Sequence, residues 1–120
     1  MLFIGISKTF SLKNEDQYNT IGQFWDELTL VYGLENLVGL GYKWDNEVIY
    51  YAIGLKDGVI KESNFQIELP NVGWEIVEGR TDELKFIYDK IYLKSSLKYE
   101  IETFTEDGKC RIEFIREEMK

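Results

Sequence analysis

The chain has 120 residues, 44% of them apolar and 30% charged, and its formal net charge is −8. One hydrophobic core closes at this size and a second domain does not fit beside it, so residues 1–120 are expected to form a single domain. An acidic average field repels phosphate backbones and argues against direct nucleic-acid binding, while the complete absence of histidine excludes Ser-His-Asp and Cys-His nucleophile systems and histidine-ligated zinc.

From the start, Leu2, Ile4 and Ile6 alternate with Phe3, Gly5 and Ser7, which predicts a strand with bulky neighbours on both faces. The same stretch offers neither a basic leader nor an apolar run long enough for a signal, so a reducing, cytoplasmic setting is expected. From Tyr18 the period changes. Ile21, Phe24, Trp25, Leu28, Val31 and Tyr32 fall at helical spacing, and Gly33 stands where a C-terminal cap belongs. Leu37 to Trp44 and Glu47 to Leu55 are β-rich runs separated by Asp45 and Asn46, residues that tolerate the positive φ of a tight turn. Lys56 to about Asn71, which contains the one proline, reads as a connection with a short extended piece near Phe65 to Leu69.

The plan then repeats. Val72 to Glu78 reads as a strand, Thr81 as the cap of a helix whose buried stripe is Leu84, Ile87, Tyr88, Ile91 and Tyr92, and Leu97 to Phe104 with Cys110 to Ile115 as a second hairpin around Asp107-Gly108. Two strand-helix-hairpin halves, about 1–55 and 72–116, predict an α+β fold: one antiparallel sheet, two helices on one face and a ligand groove on the other. No apolar run approaches the roughly 18 residues of a membrane span, and neither helix carries a basic face, so no membrane role is expected. Lone Cys110 excludes an intrachain disulfide and reads as a buried thiol. The mixed charge run Arg116 to Lys120 reads as a solvated tail.

Several segments, in order, resemble the GyrI-like, or bacterial transcription-activator effector-binding, family. Ile21-Gly22-Gln23-Phe24-Trp25-Asp26-Glu27-Leu28 is similar to its first-helix signature, and Val38 to Tyr42 with Tyr50 to Gly54 to its first hairpin. Leu69-Pro70, Trp74 and Gly79 are similar to the pattern that opens its second half, and Ile101-Glu102-Thr103-Phe104 to the segment bearing its ligand-facing glutamate. The resemblance implies a duplicated SHS2-type, stand-alone small-molecule or multidrug-binding domain. Its partner is then an aromatic or cationic ligand. It further implies a possible protein partner, either gyrase or an AraC-type or MerR-type transcription regulator with its own DNA-binding part. Some members hydrolyse cyclopropane-bearing alkylating compounds, and in that case Glu102 is the catalytic candidate.

Read from the residues alone, strand parity puts Leu97, Tyr99, Ile101 and Thr103 toward the helices and Lys98, Glu100, Glu102 and Phe104 away from them. From spacing alone, two solvated acids on an amphipathic strand are the simpler reading of Glu100 and Glu102; the resemblance singles out Glu102. A carboxylate enclosed by rings needs hydrogen bonds, a proton or a cation. Trp74, Tyr42, Trp44 and Tyr50 are the aromatic candidates around it, each equally readable as core or surface filler, in a chain with three Trp and eight Tyr. Trp25 reads first as core and second as pocket floor. Gly39 and Gly41 leave one strand face bare, either as a bulge or to admit a ligand. Nothing in these residues calls for a cofactor or metal. Binding without chemistry is the expected function, by a monomer or a homodimer.

Overall fold

Alternating and helical stripes resolve into one layered arrangement in the computed structural model, which describes residues 1–117. Its strands are β1 (Leu2–Ser11), β2 (Leu37–Asp45), β3 (Val48–Leu55), β4 (Phe65–Glu68), β5 (Glu75–Arg80), β6 (Leu97–Phe104) and β7 (Lys109–Arg116); its helices are α1 (Gln17–Tyr32) and α2 (Leu84–Tyr92). The strands form one antiparallel sheet in the order β4-β1-β3-β2-β6-β7-β5. The trio β1-β3-β2 is answered by β5-β7-β6, so the two halves meet at β2 and β6, where Gly39 faces Glu102, Leu40 faces Ile101 and Gly41 faces Glu100. The expected α+β fold with paired strand-helix-hairpin halves is present. Neither helix is long and apolar enough to cross a membrane.

Local boundaries differ from the sequence reading for identifiable reasons. The first hairpin turns at Asn46-Glu47, with Asp45 paired to Val48, and neither turn residue has positive φ. Val72 is exposed in the connection, and β5 starts only at Glu75. Thr81 does not cap α2. It opens a short 3₁₀ turn, Thr81–Glu83, and its amide donates to the Gly108 carbonyl at 2.8 Å, which ties the helix entry to the β6-β7 turn. Val31 lies at the margin of the α1 stripe and is exposed; Phe24 and Trp25 are its buried residues. Residues 118–120, the end of the mixed charge run, lie outside the described residues.

The helix-free face is partly covered. Glu68 and Glu75 end and begin strands at opposite edges of the sheet, yet seven residue steps reach at most about 25 Å, whereas six strand spacings in a flat sheet come to about 29 Å. The sheet therefore curls. The connection crosses its concave side, where Leu69 is buried with Phe3, Leu40, Ala52 and Ile101, and Phe65 of β4 stacks on Tyr42 of β2 at 4.2 Å between centroids. The helix side holds a second core, in which Phe24 and Trp25 of α1 pack on Ile49, Tyr51, Ile53 and Phe104.

Two bulges decide which residues reach each face. The β2-β3 register shifts between Gly41 and Lys43, so Tyr42 stays with Leu40 on the helix-free side while Trp44 turns to the helices. In β6 the shift lies between Leu97 and Tyr99. Leu97, Glu100, Glu102 and Phe104 consequently face the helices, and Tyr99 and Ile101 face the connection. This reverses the parity assignment for Glu100, Glu102 and Phe104, and it puts the carboxylate-lined groove on the helix side of the sheet.

Candidate functional site

Glu100 and Glu102 stand two apart on β6 and share its helix-facing side, each only 5% exposed. The opposing strand makes room for them. A Cβ at Gly41 would lie 2.8 Å from Cγ and Oε1 of Glu100, and one at Gly39 would overlap the Tyr51 hydroxyl and the Trp25 ring. The two bare positions thus accommodate neighbouring side chains, and a bulge follows them.

Phenols occupy one of the two carboxylates. The Trp25 indole Nε1 donates to the Tyr51 hydroxyl at 2.8 Å, Tyr51 donates to Oε1 of Glu102, and Tyr88 of α2 donates to Oε2 of Glu102 at 2.8 Å. Glu100 receives one long hydrogen bond, 3.4 Å from the Tyr92 hydroxyl. No ion pair among the described residues includes either glutamate. Burial, then the neighbouring Glu102 charge, pushes the Glu100 carboxyl well above the usual carboxylate range. Burial also raises Glu102, and the Tyr51 and Tyr88 hydroxyls pull it part of the way back. Adjacent buried acids of this kind resist carrying two negative charges together, so the pair holds on to a proton more strongly than an exposed acid does.

Both glutamates border a half-open cavity of about 110 Å³ between the helices. Gln17, Tyr18 and Ile21 of α1 form one wall and Leu84, Tyr88 and Tyr92 of α2 another, with Trp44, Ile49, Tyr51 and Phe104 rising from the sheet. Burial and nearby acids push the Tyr18 hydroxyl up to about 12. A wider cleft of about 550 Å³ lies between Phe3, Val38, Ile101 and Arg111 on the helix-free face. Two of its charged residues, Arg111 and Glu113, pair with each other at 3.1 Å, and it has no buried carboxylate.

No family model, curated protein or solved structure matches this chain.

Of the residues singled out from sequence, the cavity brings together Glu100, Glu102 and Trp44. The others lie on the far side of the sheet. Tyr42 packs on Phe65 and its hydroxyl meets Ser7; Tyr50 lies 6.0 Å from Tyr42 and donates to Asp45 at 3.3 Å; Trp74 donates to the Pro70 carbonyl at 2.8 Å beside Tyr99. Trp25 sits behind Tyr51 and holds that phenol in place, without bordering the cavity. Sequence reasoning passed over Tyr51, Tyr18 and Gln17 and read Tyr88 and Tyr92 only as core. One signal was available: a buried helical stripe ending in two tyrosines four apart carries hydroxyls that need acceptors. No cluster of three or more metal-ligating side chains occurs among the described residues, and two carboxylates with phenol neighbours fall short of the usual ligand set.

Proposed function

We propose that this chain is a small-molecule-binding domain whose inter-helix cavity takes small aromatic or hydrophobic cations. One observation supports this above all: two buried carboxylates without a cationic partner border a cavity walled by phenol and indole rings. Uncompensated buried acids are costly. A cation supplies the missing charge, and ring faces add roughly 0.5 to 2 kcal/mol per well-placed contact. The preformed volume, about 110 Å³, is below the ~300 Å³ lower bound of drug-sized pockets. The occupant is therefore a small cation, or one end of a larger molecule whose remainder lies across the mouth.

The resemblance to GyrI-like effector-binding domains, read from the residues, leads to the same reading, with a glutamate on the second hairpin as the anchor. In that family setting the domain works in the cytoplasm, alone or beside a transcription regulator or gyrase. Thermal melts with hydrophobic cations and with neutral molecules of matched shape test the binding: a cation at a hundred times its dissociation constant adds about 2.7 kcal/mol of stability. Neutral analogues that stabilise as strongly as the cations overturn the reading.

A second reading rests on Glu100 and Glu102, carboxyls pushed above their usual range by burial beside tyrosine hydroxyls and a cavity, which is also the equipment of general acid-base catalysis. It assigns hydrolysis of cyclopropane-bearing alkylating compounds to the same pocket. Loss of such a compound no faster than in buffer rejects it.

A further inference from the structure

The cavity border has a surplus of hydrogen-bond acceptors. Both oxygens of Glu102 are engaged, one by Tyr51 and the other by Tyr88. Glu100 has only the 3.4 Å contact from Tyr92. Across the cavity, in the first turn of α1, the Gln17 carbonyl Oε1 is buried with no hydrogen-bond partner. A carboxyl group and an amide carbonyl, one on the sheet and one on a helix, thus border the same space with acceptor capacity unused. Buried acceptors without donors are rare in folded proteins and point to a group that completes them.

Building on the cation-binding reading above, we infer that the cavity selects cations bearing N–H donors, such as primary ammonium, amidinium or guanidinium, over quaternary ammonium, and that Glu100 and Gln17 receive those donors. Glu102 then acts as a positioning residue: its tyrosine partners fix it against the sheet and it supplies charge from behind. A quaternary head brings the same charge and the same attraction to aromatic faces, but it gives the Gln17 carbonyl nothing and displaces solvent without replacing its hydrogen bonds. A planar amidinium offers two directed donors in one plane. The Tyr18 hydroxyl, half buried on the α1 wall, can accept from a further N–H.

Calorimetric titration of the full chain with benzamidinium and with benzyltrimethylammonium separates these cases. Benzamidinium is expected to bind about tenfold or more tightly than the quaternary ion, the fold-change of one hydrogen bond to a charged group. Gln17→Leu is expected to shrink that ratio toward one, and Gln17→Glu, which keeps acceptor oxygens at the same place, to preserve it. Glu100→Gln is expected to weaken benzamidinium by more than tenfold, with circular dichroism confirming that the variant folds. Equal or tighter binding of the quaternary ion by the parent protein overturns the N–H inference and leaves cation binding standing. If Gln17→Leu keeps the full ratio, Gln17 is not the receiving group and the assignment fails. Should neither cation bind, the cation reading falls and this inference falls with it.

Discussion

Glu100 and Glu102 differ in their partners although they are two residues apart on one strand. Glu102 is surrounded by donors, whereas Glu100 has only a long contact from Tyr92. The difference has a pH signature. Glu100 titrates above its ordinary value of 4.5, so the folded protein holds a proton that the unfolded chain releases. The resulting stability is complete below about pH 4.5 and is lost as pH rises through the folded value. The groups facing it are Glu102 from its own strand, Tyr51 from β3, Tyr88 and Tyr92 from α2 and Tyr18 from α1. These phenols are themselves raised, so none of them titrates in the acid-to-neutral window. Ligand-free Glu100→Gln is therefore expected to match the parent near pH 4 and to melt progressively higher than it as pH rises to 8. Parallel melting curves across that range would show that Glu100 holds no such proton. Tyr51→Phe works through satisfaction instead: it strips a donor from Glu102 and an acceptor from the Trp25 indole, and is expected to cost about 1–3 kcal/mol for each group left unpaired, read from urea unfolding.

Strand β2 shows how an element can be shaped by its neighbour's side chains. Its glycines lie opposite the two glutamates of β6, and side chains at those positions would collide with different things. At Gly39 a methyl meets the rigid Tyr51 and Trp25 pair, so Gly39→Ala is expected to destabilise by about 1–3 kcal/mol, the range for overpacking a filled core. At Gly41 it meets the flexible end of Glu100, 2.8 Å away. Gly41→Ala is accordingly expected to cost less stability and more cation affinity, and paired melts and titrations on the two variants check this inverted order. The bulge after Gly41 belongs to the same strand and turns Trp44 into the cavity while Tyr42 remains on the far side.

At the scale of the whole molecule, two structurally similar halves join along the β2-β6 seam, and the glutamates sit on that seam beneath both helices. The 56–74 connection covers part of the other side of the sheet. Leu69, 2% exposed, anchors it to Phe3, Leu40 and Ile101. Leu69→Ala is expected to cost about 2–5 kcal/mol, as for other buried leucines, yet to leave cation affinity within about twofold, since Leu69 packs on the face of the sheet opposite the cavity and does not border it. A large loss of binding in that variant would show that the two faces are coupled.

Residue types and their periods, read from sequence alone, were enough to determine the order of elements, the repeated strand-helix-hairpin plan and the short extended piece before Pro70. These features depend on neighbours a few residues apart. Which way Glu100 and Glu102 point was decided only in three dimensions. Strand parity holds until a residue is inserted, and the bulges near Tyr42 and Lys98 each insert one, moving Trp44 and the two glutamates to the helix side. Whether the far face was wet or covered depended on a connection crossing between strands at opposite edges of the sheet. The tyrosines that separate Glu102 from Glu100 come from β3 and α2, 51 and 14 residues away from Glu102 in the chain. The Tyr51 hydroxyl acquires its partner only when the two halves close on each other, and that of Tyr88 only when α2 packs on the sheet, contacts that no local pattern encodes.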